Sequence, residues 1–466
     1  MTPRFQSWAW SLCILLLLAS CTARSTSVAP PVAPGSGQIE LPQRPDILPE
    51  VVFDVPQLAS QAVPVNDQPL LGPGEQALLH QRLLERFFAP WHLAKPSLSM
   101  EQAFGAVRAY GSKPGYAENL QPYARDRWER VVALQNMAAF PSRGFAAIIT
   151  RNTAMRSLPT LRPFFLDPTR PGEGFPFDYF QHSALWMGTP VYVCHESLDR
   201  AWLFVETAVV NGWVRSEDVA RAEPDFCSGY ESLSMAALTL DDTPLLGEGG
   251  FLGQTHIGAM FPLQAQTSQG LIVRVPVRGA DGRAEIGLAT LNSLQAAPMP
   301  LPLTSRAVAG LADAMSGQLY GWGGMFENRD CSATMRDLFL PFGVWLPRNS
   351  GQQAREGGLL VSLEKMDASA KLAAISTRGV PFASFISMPG HIGLYLGTDG
   401  RGEPLMLHNI WGVRTVLADG TEGRAVVGRL VITTLRPGED RPDVRRGAFL
   451  ERVRALTILA APSPKK

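Results

Sequence analysis

Apolar side chains first recur at helical spacing soon after residue 70. The run GEQALLHQRLLERFFAPWH places them three and four positions apart, which is the spacing of one helix face. The members of this stripe are Leu78, Leu79, Leu83, Leu84 and Phe87. The stretch YARDRWERVVALQNMAAF, from residue 123, repeats the pattern. The sequence therefore predicts a small helical module over residues 70–139.

The apolar pattern becomes strand-like in the next segment. The runs GFAAIITR, PVYVCHES, AWLFVETA and GWVRSEDVA are short and are separated by Pro and Gly clusters, which favours a small barrel over residues 140–225. Trp202 lies on one of these strands, and Gly212 and Trp213 open the next. This arrangement resembles the closing strands of a bacterial SH3-type domain.

A second group of strands follows. The runs LIVRVPV and AEIGLATL flank the turn GADGR, which has Asp281 and Gly282 at its tip and predicts a hairpin. Residues 226–300 are therefore expected to form a second, more divergent SH3-like barrel.

The last region combines a helical stretch with later strands. It begins after the Pro-rich joint APMPLPLT, which predicts an α+β domain over residues 301–440 and a C-terminal tail over 441–466. The fold class expected for the whole chain is multidomain α+β.

The N-terminus has the pattern of an export signal. MTPRFQSWAWSLCILLLLASC has an early Arg4, an apolar core and small residues before Cys21, which predicts a signal peptide over residues 1–21. The run LASC resembles the bacterial lipobox, which implies lipid attachment at Cys21. Thr22 after it resembles sorting to the periplasmic face of the outer membrane in a bacterium with two membranes. An ordinary secretory signal and a transmembrane helix are the alternatives.

Composition adds a tether and excludes an obvious charged partner. Residues 22–69 begin with a Pro-, Ser- and Gly-rich stretch that cannot bury enough surface to fold, so they are expected to be a tether. The 466 residues exceed one compact core. The 42 basic and 42 acidic side chains leave no net charge to attract nucleic acid, and no nucleic-acid partner is predicted.

Export to an oxidising compartment makes the cysteines informative. Cys13 leaves with the signal and Cys21 takes the lipid, so an odd number of thiols remains and at most one disulfide can form. Cys194 and Cys227 are the predicted pair, with two buried, unpaired thiols as the alternative. Cys331 is then the odd thiol.

Cys331 follows a Gly-rich aromatic run and opens a predicted helix. In DCSATMRDLF, Asp330 is a good N-cap residue, and the helix is expected to stop before Pro341. Its apolar face consists of Met335, Leu338 and Phe339. The positive end of the helix dipole is expected to lower the pKa of the thiol and make it nucleophilic. The alternative is a small buried hydrophobe.

Two histidines lie downstream in a single predicted hairpin. His391 begins the alternating strand HIGLYLG, and pairing about the turn TDGRGE places His408 opposite Gly393. The two imidazoles are then within roughly 7 Å of each other, so one can act as general base while the other orients it. A zinc site is the alternative, and Asn409 is the fallback orienting group.

At these residues the chain resembles the NlpC-type family of papain-like cysteine peptidases of bacterial cell walls. The residues that match the family motifs are Tyr320, Trp322, Gly323, Gly324, Asp330, Cys331, Ser332, His391 and His408. The resemblance implies a papain-like catalytic domain whose triad is Cys331, His391 and His408. The helical module and SH3-like barrels are similar to those of the γ-D-glutamyl-L-diamino acid endopeptidases.

That likeness also implies a substrate pocket and a reaction. The pocket residues for the L-Ala and D-Glu portion would be Tyr320, Trp322, Asp330, Ser332 and Ser350. Asp330 would pair with the ammonium group, although it could equally serve only as a helix cap. The expected reaction is hydrolysis of the γ-D-glutamyl-diamino acid bond of peptidoglycan stem peptides or muropeptide fragments. No metal or organic cofactor is expected, and the membrane is reached through the lipid anchor. A peptidoglycan amidase and a non-catalytic wall-binding lipoprotein are the alternatives.

Overall fold

The computed structural model describes residue 51 and residues 53–459. The predicted signal peptide, Cys21 and residues 22–50 of the predicted tether lie outside the described residues. Among the residues that are described, none of the helices is both long and apolar enough to cross a membrane.

The helices and strands follow the predicted order along the chain. The α-helices are α1 (Ala59–Ala62), α2 (Pro73–Phe88), α3 (Met100–Ala103), α4 (Gly105–Tyr110), α5 (Arg125–Leu134), α6 (Pro224–Tyr230), α7 (Ser305–Ala314), α8 (Cys331–Phe339), α9 (Ser350–Glu356), α10 (Ala368–Arg378) and α11 (Ala448–Arg452). Short 3-10 helices are Ala89–His92, Met137–Ala139, Ser216–Asp218, Trp322–Glu327 and Leu340–Phe342. The strands are β1 (Phe145–Ile149), β2 (Thr153–Arg156), β3 (Gln181–Leu185), β4 (Pro190–Glu196), β5 (Trp202–Glu206), β6 (Asn211–Arg215), β7 (Val219–Arg221), β8 (Met235–Leu238), β9 (Thr243–Gly247), β10 (Gly250–Thr255), β11 (Met260–Thr267), β12 (Gly270–Arg278), β13 (Ala284–Leu291), β14 (Ala296–Pro298), β15 (Leu359–Ser362), β16 (Ser384–Met388), β17 (His391–Thr398), β18 (Pro404–Val416), β19 (Glu422–Thr434) and β20 (Ala455–Ile458).

The first sheet has the order β3-β2-β6-β5-β4-β1-β7 and lies within the predicted range 140–225. Each of the four runs quoted above for this range contains a strand. Alternating positions supply its interior, for example Val193 on β4 and Val205 on β5, which are paired across the two strands.

The second sheet has the order β13-β12-β11-β8-β14, with the hairpin β9–β10 beside it. The predicted hairpin is confirmed, since β12 and β13 pair from Arg278 and Ala284 outward. Gly282 has a φ of +83°, a value that favours glycine in the connecting turn.

The helices between residues 73 and 134 pack on these two sheets. Leu83 and Phe88 of α2 share a buried cluster with Ile148 of the first sheet and Met260 of the second. The first sheet and its loops, residues 145–221, are called the first sheet unit. Trp128 of α5 packs in a separate cluster with Leu158, Phe164 and Phe180 of this unit. These helices therefore lie in more than one buried cluster.

The last sheet has the order β15-β20-β16-β17-β18-β19, and helix α8 packs against it. The predicted apolar face of α8 is fully buried, and the rings of Phe339 and Phe385 lie 5.1 Å apart, edge to face. Burying a side chain of this size contributes about 1.5–3 kcal/mol. This packing fixes the start of α8 relative to β17 and β18.

The predicted C-terminal tail is wrong in its described part. Strand β20 lies between β15 and β16, with Leu456 paired to Val361 on one side and to Ile386 on the other. The domain therefore extends well beyond residue 440. The segment is too short and too far along the chain for local pattern alone to place it in this sheet.

The predicted tether is also wrong for residues 53–69. Val55 and Ala59 are buried in the same core cluster as helix α8. The backbone N–H of Asn66 donates to Ser305 Oγ at 2.8 Å, and that of Leu70 donates to the Leu303 carbonyl at 2.9 Å. Apolar residues scattered among prolines are enough here to hold the segment against the last domain.

The predicted disulfide is wrong as well. Cys194 and Cys227 are both free thiols. The Cys194 Sγ lies 3.0 Å from Glu206 Oε1 in the interior of the first sheet unit, whereas Cys227 belongs to α6 and contacts the Ala222 carbonyl at 3.7 Å.

Candidate active site

The Gly-rich aromatic run turns against the first sheet. Gly323 and Gly324 have φ values of +61° and +83°. A Cβ at Gly323 would lie 2.5 Å from the Gln181 carbonyl oxygen, and one at Gly324 would lie 2.3 Å from the Ala184 nitrogen. Only glycine fits this conformation and this approach. Gln181 Nε2 donates to the Gly323 carbonyl at 2.9 Å, so the run joins the first sheet to the entry of helix α8.

Cys331 lies in the first turn of helix α8. The helix begins at Cys331, and the Asp330 carboxylate accepts from the Ala333 N–H at 2.9 Å, which confirms the predicted cap. The side chain of Cys331 is only 7% exposed, and its Sγ lies 4.0 Å from the Gly390 carbonyl. The thiol is therefore buried next to the start of strand β17.

The lowered pKa predicted for this thiol is wrong. Burial, with a second contribution from the Asp330 carboxylate, raises the pKa of Cys331 to about 12. The backbone N–H of Ile392 and the Arg348 guanidinium oppose this but do not outweigh burial. The resting group is a protonated thiol, so it needs a base before it can attack a carbonyl.

That base is positioned by a pair of histidines. His391 Nε2 lies 2.7 Å from His408 Nδ1, and the two ring centroids are 5.0 Å apart. A Cβ added at Gly393 would lie 2.7 Å from His408 Cβ, which agrees with the predicted opposition of these two positions. Asn409 instead donates to the Arg329 carbonyl at 2.9 Å, so its amide is directed elsewhere.

A threonine at the end of β19 determines the tautomers of the pair. Thr433 Oγ1 donates to the Thr434 carbonyl at 2.6 Å and lies 3.0 Å from His408 Nε2. The hydroxyl has one hydrogen, so it can only accept from His408 Nε2–H. His408 Nδ1 must then accept from His391 Nε2–H, which leaves His391 Nδ1 unprotonated and able to take the Cys331 proton.

Replacing Thr433 by valine is expected to lower kcat by about tenfold to a hundredfold, with little change in KM. The variant leaves the buried His408 Nε2–H without an acceptor, which costs about 1–3 kcal/mol and favours the wrong tautomer. Steady-state kinetics on a stem peptide measures kcat and KM separately.

Thr433→Ser retains the hydroxyl and is expected to recover most of the rate. Thr457→Val is the matched control, because the Thr457 hydroxyl is also buried but donates to the Ala354 carbonyl. Equal kcat values for Thr433→Val and Thr457→Val would contradict the positioning role.

His408 is fully buried and His391 is partly buried, and both are neutral rings. Burial, with a second contribution from Arg452, lowers the pKa of His391 to about 3. Burial also lowers the pKa of His408 well below its ordinary value, with a second contribution from His391. Phe449 of helix α11 packs edge to face on both imidazoles, with centroid distances of 6.2 and 5.7 Å. The pair is covered by the segment that the sequence assigned to a tail.

The free energy of unfolding is expected to fall as the pH drops below 6.5. The folded pKa of His408 lies well below 6.5, so the unfolded chain binds the extra proton. The contribution is fully present above pH 6.5 and is lost at about 1.4 kcal/mol per pH unit below it. We expect His408→Asn to reduce this slope in urea denaturation between pH 6.5 and 5.

The exposed His92 supplies the control for this experiment. His92→Asn is expected to leave the slope unchanged, because that ring is solvent-accessible beside Glu231. A wild-type slope in His408→Asn would contradict the burial of His408 as a neutral ring.

A cavity of about 620 Å³ opens beside His391. Its aromatic wall consists of Phe177, Tyr179, Tyr320, Trp322, Trp411 and Phe449. The Phe177 and Trp322 rings lie 5.1 Å apart, and those of Tyr320 and Trp411 lie 6.0 Å apart. The first sheet unit and the last domain both contribute to this wall.

The predicted pocket residues do not all reach this cavity. Tyr320 and Trp322 line it, but Asp330 and Ser332 are buried and lie outside the residues that form the wall. Arg348 Nη2 donates to Asp330 Oδ2 at 2.6 Å, and its Nη1 donates to Ser332 Oγ at 3.0 Å. The Asp330 carboxylate is thus already neutralised by a buried guanidinium.

Ser350 also lies outside the cavity wall. It is the first residue of helix α9, where it follows the N-cap residue Asn349. Ser350 therefore has a local structural position at the start of a helix rather than a position in the substrate cavity.

Sequence reasoning missed several residues of this site. Arg348 stands two residues before Ser350 in PRNSGQQ, and a buried arginine there could have been suspected only once Asp330 was known to be buried. Thr433 and Phe449 carry no local signal, because each reaches the histidines only through the sheet topology.

Metal ligation has no candidate cluster in the described part of the chain. Among residues 51 and 53–459, no group of three or more His, Cys, Asp or Glu side chains is arranged to hold a metal ion.

Three family models match the chain. The NlpC/P60 family matches residues 317–423, an SH3 domain of the SH3b1 type matches 163–215, and the N-terminal NLPC_P60 stabilising domain matches 10–140. The catalytic match contains Cys331, His391 and His408. The SH3b1 match lies in the first sheet unit, while the SH3-like nature of the second unit stays a prediction.

One solved structure gives the same fold. An NlpC/P60 endopeptidase from Photobacterium damselae subsp. piscicida aligns with a TM-score of 0.80 and 24% identity, over 89% of this chain and 99% of that chain. An NlpC/P60 family protein from Bacillus cereus ATCC 10987 aligns with a TM-score of 0.44 and 16% identity, over 68% of this chain and 100% of that chain, and this similarity supports no inference. No curated protein matches the chain. The family match shows an NlpC/P60 cysteine peptidase domain over residues 317–423, and the chain shares the fold of a solved NlpC/P60 endopeptidase over most of its length.

Proposed function

We propose that this protein hydrolyses the bond between the γ-carboxyl of D-Glu and the diamino acid of peptidoglycan stem peptides. The observation that carries the proposal is the buried Cys331 thiol, which contacts the carbonyl of Gly390 next to His391, together with the His391–His408 pair at the edge of an aromatic cavity. The match to the NlpC/P60 family supports cysteine peptidase chemistry.

The first half of the reaction forms an acyl-enzyme. His391 Nδ1 takes the proton of Cys331, and the sulfur attacks the γ-carbonyl carbon while the carbonyl electron pair moves to oxygen. Backbone N–H groups in the first turn of helix α8 have no intrahelical acceptor and can stabilise this oxyanion. The C–N bond then breaks as His391 returns the proton to the leaving amine.

The second half of the reaction releases the acid product. His391 removes a proton from water, and the oxygen attacks the thioester carbonyl. The C–S bond breaks, and the proton returns to the sulfur. His408 and Thr433 hold the same tautomer through both halves, because neither needs to change partners.

The cavity wall supports a short peptide as substrate. The rings of Phe177, Tyr320 and Trp322 exclude water around the acyl portion, and Glu173 is a carboxylate of the wall on the side of the first sheet unit. A cavity of about 620 Å³ accommodates a peptide of a few residues rather than a cross-linked network.

The proposed place of action is close to a membrane. Acylation at Cys21 after removal of residues 1–21 would anchor the enzyme, and the stretch up to about residue 50 would give it reach toward the wall.

The test is product analysis on L-Ala-γ-D-Glu-diaminopimelate and on its N-blocked form. We expect mass spectrometry to detect L-Ala-D-Glu and free diaminopimelate from the first peptide, and much slower cleavage of the blocked peptide. Intact stem peptides released from a glycan-linked substrate would instead identify an amidase. Absence of any product from either substrate would favour a wall-binding protein.

A further inference from the structure

Three arginines lie at the cavity wall near one carboxylate, and two of them contact it. Arg414 on β18 pairs in register with Arg424 on β19. Arg414 Nη1 lies 3.5 Å from Glu422 Oε2, and Arg424 Nη2 lies 3.0 Å from Glu422 Oε1. Arg452 comes from helix α11 and donates from Nη2 to the Pro389 carbonyl at 3.0 Å. The three guanidinium groups and Glu422 all line the cavity.

The positive charge of this arginine cluster is not neutralised. Burial lowers the pKa of Arg452, and the nearby Arg414 and Arg424 lower it further, whereas Glu422 opposes them. Glu439, another acid of the wall, accepts from the Gly447 N–H at 2.6 Å. Within residues 51 and 53–459, Arg452 has no carboxylate in ion-pair contact. A partly buried cluster of this kind favours an anionic ligand.

The arginine cluster lies on the side of the leaving group. His391 must give its proton to the leaving amine, so the atoms attached to that amine lie next to His391. Arg452 is close enough to influence His391 electrostatically, and Phe449 of the same helix packs on the His391 ring. The guanidinium groups therefore face the amino acid that departs.

We propose that Arg452, together with Arg414 and Arg424, binds a carboxylate of the leaving diamino acid. This inference rests on the proposed function. A guanidinium binds a carboxylate through parallel N–H groups, which gives both affinity and orientation. Diaminopimelate has a side-chain carboxylate that lysine lacks, and a tripeptide also has a free α-carboxylate. The enzyme therefore selects a diaminopimelate peptide over a lysine peptide, a free C-terminus over an amide, or both.

Binding to the full-length Cys331→Ala protein tests the subsite without turnover. The ligands are L-Ala-γ-D-Glu-diaminopimelate, its α-amide, and the two corresponding lysine peptides, measured by calorimetry. We expect the diaminopimelate peptide, whose leaving residue has two carboxylates, to bind at least about tenfold more tightly than the lysine amide, whose leaving residue has none. A loss of affinity on amidation identifies the α-carboxylate as the group that the arginines bind. A loss of affinity on replacement of diaminopimelate by lysine identifies the side-chain carboxylate.

Variants of the arginine cluster test whether the preference for a carboxylate depends on these arginines. Arg452→Gln is expected to reduce the affinity ratio between the diaminopimelate peptide and the lysine amide to less than about threefold. Arg452→Lys is expected to keep part of this ratio. Arg414→Gln is a second test at a position in a strand rather than in α11. Arg445→Gln is the matched control, because both Arg445 Nη atoms are bound to Glu451, at 2.9 and 2.5 Å.

Two results would overturn the proposal. One is equal binding of all four peptides to Cys331→Ala, and the other is an equal loss of affinity for all four in Arg452→Gln and Arg414→Gln. A carboxylate preference that depends on Arg452, found in a protein whose wild type does not cut these peptides, would support the subsite and contradict the proposed reaction. The two failures are therefore distinguishable.

Discussion

Cys331→Ala is expected to lower the hydrolysis of L-Ala-γ-D-Glu-diaminopimelate by about 10⁴-fold or more, since removing a catalytic nucleophile leaves only the contributions of binding and of the oxyanion donors. The thiol starts helix α8, and its Sγ contacts the backbone next to His391. The other free thiols in the described part of the chain cannot replace it. Cys194 is fully buried against Glu206, and Cys227 lies in α6. Initial rates by mass spectrometry measure the loss.

Cys227→Ala is the matched control for this prediction. The Cys227 thiol is half-buried, and its contact is the Ala222 carbonyl, so we expect a wild-type rate. Thermal unfolding of both variants separates loss of the nucleophile from loss of the fold. Hydrolysis at a near wild-type rate by a folded Cys331→Ala protein would contradict the proposed mechanism.

Arg329→Met is expected to lower the free energy of unfolding by about 3–5 kcal/mol, which is the usual effect of removing one partner from a buried ion pair. Arg329 is fully buried, and its Nε donates to Asp337 Oδ2 at 2.6 Å. Its two Nη atoms bind the two oxygens of Asp241 at 2.9 and 2.8 Å. Trp186 of the first sheet unit also donates to Asp337 at 3.0 Å. The variant would remove the guanidinium partner of Asp241 and leave Asp337 with Arg336 alone, where three parts of the fold meet.

Urea denaturation of Arg329→Met and of Arg329→Met/Asp337→Asn measures this effect. The second substitution removes one of the two carboxylates that Arg329 neutralises, so we expect the double variant to be more stable than the single one. Arg306→Gln is the control, since its ion pair with Asp67 is exposed and is worth about 0–1 kcal/mol. A loss below about 1 kcal/mol in Arg329→Met would contradict the role of this ion pair in joining the parts of the fold.

Local pattern was sufficient for elements whose cause lies within a few residues. Asp330 caps α8 because its side chain reaches the Ala333 N–H, and the β17–β18 turn sets the register that brings His391 to His408. Alternation also located β1, β4, β5 and β6 of the first sheet and β12 and β13 of the second, but not β2, β3, β8 or β11. These features depend on spacing, which the sequence displays directly.

The remaining features depend on contacts between distant segments. Local pattern could not show that burial would outweigh the helix dipole at Cys331, because the covering residues come from elsewhere in the chain. The same holds for Asp330, whose partner Arg348 lies 18 positions away. Thr433 lies opposite the histidines only because β19 pairs with β18 in one particular register.

The position of strand β20 has a consequence for the order in which the enzyme becomes competent. Chains are synthesised from the N-terminus, so β20 emerges after every other described strand. Until it arrives, the sheet has an open slot between β15 and β16, and Phe449 has no fixed place over the imidazoles. A nascent chain that already contains Cys331 and both histidines is therefore not yet a finished hydrolase. Assembly is completed only when translation has passed the end of β20, which delays activity until the chain can fold as a whole.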